Sequence, residues 1–177
     1  MRTVGVTGHM DLAEGTDALL RDALGEVLGE LAAGAHGLVG VSCIAPGADS
    51  LFAEAVLACG SELSVVLPFR DYRRSLDDEE HRARFDRLME AASHITVMPY
   101  PEASLTAFEA ANTELLQRAE ILIAVWDGEP SEKGGGTAAV VAQAREAGMP
   151  VHVVWPPGAR RRSHPIPSRE RSTGRPK

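Results

Sequence analysis

Only two cysteines, Cys43 and Cys59, occur in the chain, and their separation matches neither a zinc site nor a redox motif. Two buried thiols in a reducing compartment are expected, rather than a disulfide or a nucleophile. No stretch approaches the roughly 18 consecutive apolar residues of a membrane span. Met1-Arg2-Thr3 leads straight into an apolar run, with no leader-like stretch and no small-residue cleavage site, so a cytoplasmic location is expected. No GxGxxG follows the first run, no serine stands in a GxSxG elbow, and no His/Cys cluster has zinc spacing. Those lacks remove the dinucleotide fingerprint and the hydrolase elbow, and neither a metal nor a resident cofactor is expected.

Charge is present but unevenly shared. The net charge is −7, yet from Pro156 onward six arginines and one lysine face a single glutamate. That tail carries about +6, which leaves −13 on residues 1–155. Nucleic acid is therefore a poor fit to the body, because phosphate backbones need a basic surface. It remains open to the tail, as does an acidic neighbour. The tail is rich in proline and serine and lacks an apolar period, so residues 156–177 are expected to be disordered and residues 1–155 to form one domain.

Within the body, six apolar runs alternate with segments of helical period. They are Thr3–Thr7, Leu38–Cys43, Glu62–Leu67, His94–Met98, Ile121–Trp126 and Val151–Trp155. Leu20, Leu24, Val27, Leu28 and Leu31 mark an amphipathic helix after the first run. Strands that are apolar on both faces and separated by helices form a parallel sheet covered on both sides. The fold class is therefore α/β, a Rossmann-like doubly wound sheet of about six mostly parallel strands with helices on both faces. A TIM barrel would need eight such units.

Ligands of a doubly wound sheet bind outside the carboxyl ends of its strands, so the strand-to-helix loops hold the candidates. Gly134-Gly135-Gly136-Thr137 precedes a helix, where backbone N–H groups and the dipole favour a phosphate, and Thr137 offers a hydroxyl. On position alone the turn is open to two readings, a cradle or a plain flexible turn. Gly8 and His9 leave the first strand. Gly8 suits a close backbone approach, while His9 is open to a ligand contact or to packing. Gly47 and Asp49 leave the second strand, with Asp49 either a helix N-cap or part of the pocket wall. Asp127 ends the most apolar strand, as a ribose acceptor, a general base or a turn residue. Asn112 stands on the helical stripe of Phe108 and Leu115, where an apolar residue is expected. The acidic run Asp77-Asp78-Glu79-Glu80 reads as helix-start electrostatics rather than a metal site.

Taken together, VGVTGH near the start, APGAD after the second strand and AVWDGEPSEKGGGTAAVV near the end resemble the SLOG superfamily over Thr3 to Trp155. This Rossmann-like group includes the DNA-processing protein A core, the lonely-guy phosphoribohydrolases and many bacterial proteins. The resemblance implies binding of a nucleotide or phosphosugar by Gly8, His9, Gly47, Asp49, Asp127, Gly135, Gly136 and Thr137. The lonely-guy signature PGGxGTxxE ends in a catalytic glutamate; here Val140 stands in its place and Lys133 replaces the proline. A ligand-binding domain that senses or sequesters its ligand is therefore the leading expectation. An N-glycosidic hydrolase would have to use Asp127 or Asp49 instead. An interaction module acting through the basic tail is a third reading, and pairing with a second copy is open.

Overall fold

The computed structural model describes residues 1–130 and 136–162. In chain order the elements are β1 (Arg2–Gly8), α1 (Thr16–Ala33), β2 (Leu38–Ser42), α2 (Ala48–Ala58), β3 (Glu62–Leu67), a 3-10 turn (Tyr72–Ser75), α3 (Glu79–Ala91), β4 (His94–Val97), α4 (Leu105–Arg118), β5 (Ile121–Val125), α5 (Gly136–Glu146) and β6 (Val151–Val153). The strands form one six-stranded sheet in the order β4-β3-β2-β1-β5-β6, and every named pairing is parallel. This is the expected Rossmann-like α/β fold, open and not closed into a barrel.

Burial follows from the apolar runs. In β5 (Ile-Leu-Ile-Ala-Val) the last four residues are buried, as a central strand covered on both faces requires. On one face Val4, Val65 and Ile123 pack with Leu20, Leu24 and Leu28 of α1, Phe52 and Val56 of α2, and Phe85 of α3. The four-residue spacing of the α1 leucines puts them on one stripe. On the other face Val41, Val66 and Leu122 meet Leu115 of α4 and Val140 and Ala144 of α5. Burying a side chain of this size contributes about 1.5–3 kcal/mol. The helix ends use the expected chemistry, with Asp78 accepting from the Glu80 N–H at 3.1 Å and Ser104 from the Ala107 N–H at 3.1 Å. The acidic run thus serves the start of α3.

From β1 the chain steps outward through β2 and β3 to β4, then crosses back to β5 on the other side of β1. That reversal leaves a crevice at the carboxyl ends of β1 and β5.

Two expectations are corrected. Cys43 is only partly buried and Cys59, after α2, is exposed. The start of the expected tail is also ordered, since residues 156–162 fold back along the loop after β1. Arg161 forms an antiparallel bridge with Leu12, and Ala159 is buried. A Pro-Pro-Gly break followed by arginines looks solvated because its acceptors lie some 150 residues earlier in the chain. No helix among the described residues is long and apolar enough to cross a membrane.

Candidate ligand-binding site

The loop after β1 is fixed by its neighbours on both sides. The His9 N–H donates to the Val125 carbonyl at 3.1 Å, carrying the β1–β5 ladder one residue past the strands. The His9 carbonyl accepts the Ala48 N–H at 3.1 Å, satisfying one of the free donors at the start of α2. Packing here admits no side chain at two positions. A Cβ on Gly8 would lie 2.5 Å from the Ala48 Cβ and 2.7 Å from the Val125 Cβ. A Cβ on Gly47 would lie 2.7 Å from the His9 carbonyl oxygen, and Gly47 has φ +80°, which disfavours L side chains. These two glycines therefore lock the first two loops together, rather than only baring backbone for a ligand.

Across the crevice the His9 ring meets the loop after β5. Its Nε2 lies 3.0 Å from Asp127 Oδ1 and 3.3 Å from the Asp127 backbone nitrogen, so the tautomer decides whether it donates to the first or accepts from the second. Trp155, just beyond β6, packs edge-on against the ring at 5.6 Å. The Glu129 N–H donates to Asp127 Oδ1 at 3.0 Å, closing a turn. Arg161 approaches Asp127 Oδ2 to 3.6 Å and holds the Asp11 carboxylate through Nε and NH2 at 3.1–3.2 Å. Burial opposes ionisation of Asp127, yet the Glu129 N–H, His9 and Arg161 outweigh it and hold the carboxyl below its ordinary value. The crevice thus presents an ionised carboxylate, an imidazole and a guanidinium contributed by three distant segments.

Asp49 is placed differently. Gly47 occupies the N-cap position of α2, and Asp49 sits in the first turn with its carboxyl folded back onto its own loop. The Ala45 N–H donates to Asp49 Oδ2 at 3.4 Å, and the Cys43 backbone also donates to the carboxyl. Burial dominates and pushes Asp49 up to about 7. Ser42 ties the same loop, its Oγ accepting from the Ile44 N–H at 2.9 Å and donating to the Asp49 carbonyl at 3.1 Å. Between them Ile44 is held at φ +46°, a left-handed conformation rare for a β-branched residue. The Tyr72 phenol nearby is pushed up by burial and, secondarily, by Asp49 and Cys43. His81 at the start of α3 bonds the Ile44 backbone, while its buried Nε2 has no partner among the described residues; burial, then Arg84, lowers its pKa.

Of the other candidates, Gly136 and Thr137 open α5, with Gly136 exposed at φ +65° and Thr137 buried. Gly134 and Gly135 lie outside the described residues. Asn112 is half-buried seven residues into α4, about 10 Å along the helix from its start, and so below the carboxyl rim. Val140, at the position of the lonely-guy glutamate, faces the core beside Val41 and Leu122. The sequence did not single out Asp11, Trp155 or Arg161 as site residues, and the only signal for Arg161 was a basic cluster far from the crevice in sequence. Among the described residues no group of three or more His, Cys, Asp or Glu is placed to hold a metal ion. Grooves elsewhere, such as that between α1 and α2 lined by Gly25, Ala55 and Ala58, lie between helices and away from the strand ends.

Comparison with solved structures returns the same architecture. The chain is similar to DNA processing protein A (DprA) from Streptococcus pneumoniae, with a TM-score of 0.65 and 17% identity over 88% of this chain and 51% of that one. It therefore spans about half the length of that relative. It is also similar to TM1055, with a TM-score of 0.54, 19% identity and coverage of 85% and 72%. Against the Moco carrier protein of Chlamydomonas reinhardtii the TM-score is 0.50, with 21% identity and coverage of 86% and 75%. No protein-family model matches the sequence. No curated protein matches it either. At these identities the likeness is one of fold alone, a Rossmann-like α/β sheet.

Proposed function

We propose that the chain is a SLOG-type ligand-binding domain that takes a nucleotide or phosphosugar in the β1–β5 crevice and senses or sequesters it. The observation that carries this reading is the His9–Asp127 contact at 3.0 Å, which joins the two loops flanking the topological switch point. An ionised Asp127 suits the hydroxyls of a ribose, and the start of α5 suits a phosphate through the N–H groups of its first turn. Proteins sharing the fold are named for DNA processing and for carrying Moco, so the architecture serves more than one ligand.

Binding is favoured over turnover because Val140 is packed in the core and Asp49 is turned into its own loop. Differential scanning fluorimetry with AMP, CMP and ribose 5-phosphate tests the proposal. At least one of them should raise the melting temperature of the wild type, and Gly136→Val, which strains a left-handed position, should remove the shift while the protein stays folded. Wild type unmoved by every probe would refute the site.

Asp127 alone keeps a hydrolytic reading in play, since an oxocarbenium-like transition state needs a nearby carboxylate. Incubation with AMP or CMP and assay of free base decides it: release lost in Asp127→Asn would establish an N-glycosidic hydrolase, whereas no release would exclude it.

A further inference from the structure

We infer that Arg161 is a ligand-binding residue, the cation that receives the anionic group of the ligand and makes the crevice select phosphorylated over neutral molecules. The inference rests on the binding function proposed above and adds a residue and a selectivity to it.

Main-chain bonds fix the segment that carries Arg161. The Ala13 N–H donates to the Arg160 carbonyl and the Arg162 N–H to the Asp11 carbonyl, both at 2.8 Å. The Thr16 hydroxyl lies 3.0 Å from both the Arg160 carbonyl oxygen and the Arg160 nitrogen. Arg162 turns away and donates to the Leu12 carbonyl at 2.9 Å. Side chains alternate along an extended segment, so Arg161 is directed into the crevice between Asp11 and Asp127.

The guanidinium there is oriented but, among the described residues, not saturated. Asp11 engages Nε and NH2, whereas the 3.6 Å approach of NH1 to Asp127 is too long for a hydrogen bond. Among the described residues NH1 therefore keeps donors for another acceptor, and the side chain is 41% exposed. A fork held by one carboxylate and open on its other side suits a phosphate or carboxylate oxygen.

Charge balance points the same way. A body of net charge −13, with Asp11 and Asp127 at the mouth, repels an anion unless a fixed cation meets it there. Arg161 supplies that charge from the basic segment, and its placement gives the fold-back of residues 159–162 a purpose.

Isothermal titration of the full chain with AMP and with adenosine tests the inference. Wild type should bind AMP at least tenfold more tightly than adenosine. Arg161→Gln should lose at least tenfold toward AMP and change less than twofold toward adenosine, which also shows that the crevice is intact. Arg161→Lys should recover part of the loss. Arg160→Gln removes an equal charge from a residue whose bonds to the loop are main-chain, and should behave as wild type. Unchanged or tighter AMP binding by Arg161→Gln would overturn the inference and make the segment a plug. Equal losses toward AMP and adenosine would overturn it in favour of a structural role. Wild type binding neither AMP, adenosine nor ribose 5-phosphate would remove the proposed function and this inference together.

Discussion

Two aspartates, each in the segment that follows a strand, have met opposite fates. Asp49, after β2, is turned inward onto the N–H groups of its own loop, and burial raises it to about 7. Asp127, after β5, faces the crevice and is held ionised by the Glu129 N–H, His9 and Arg161 against the opposing effect of burial. Both followed an apolar run, Asp49 in the first turn of α2 and Asp127 in the turn after β5. What separates them is the partners that the topology brings, since β5 lies at the switch point and β2 does not. A carboxylate satisfied by its own loop shapes that loop, whereas one held by distant side chains at a crevice is placed to meet a ligand.

Titration gives the largest means of sharpening that contrast. An acid raised above its unfolded value of 3.8 binds its proton more tightly in the folded state. Its stabilisation is therefore complete below about pH 4 and is lost as pH rises through about 7. Asp49→Asn keeps an acceptor without the charge. It should gain on wild type between pH 4 and 8 by on the order of 4 kcal/mol at most, read by urea denaturation across that range. No divergence with pH would mean that Asp49 is not buried as described.

Breaking the loop itself should have the next largest effect. Gly47→Ala places a methyl 2.7 Å from the His9 carbonyl in a left-handed conformation and should destabilise the fold by about 3 kcal/mol, measured in the same denaturation assay. Asp127→Asn should cost about 1 kcal/mol at pH 7 through its charged hydrogen bonds. The sign is opposite to that of Asp49. A carboxyl held below its ordinary value stabilises above the unfolded pKa and loses that contribution as pH falls, so the difference between wild type and Asp127→Asn should vanish in acid. Smallest of all, Asn112→Ala should leave AMP affinity within about twofold by isothermal titration, because the residue lies below the rim.

Much of the fold was legible in the sequence for a simple reason: residues buried on both faces of a sheet must be apolar, and apolar runs are local. The Glu62–Leu67 strand coincides with its run, and β5 ends one residue before the run does, at Val125. The 3-10 turn at Tyr72–Ser75 was hidden in a polar stretch because its one buried residue, Tyr72, leaves no period to read. For the candidate site, His9 and Asp127 were visible as loop residues, but not that they touch. Arg161 was masked by its own neighbourhood, since a run of arginines looks solvated until Asp11 is folded against it. Gly8 was read for a close backbone approach and Gly47 as part of the pocket wall, whereas Gly8 packs against Ala48 and Val125, and Gly47 against His9 and Met10. Gly136 and Thr137 open α5, the helix that follows β5.

The most direct test of the crevice as the ligand site is an amide chemical-shift titration of the labelled protein with AMP. The resonances of His9, Asp127, Gly136, Thr137 and Arg161 should move together with one saturation curve, while Gly25, Ala55 and Ala58 in the α1–α2 groove stay still. Shifts confined to that groove, or none at all, would contradict it.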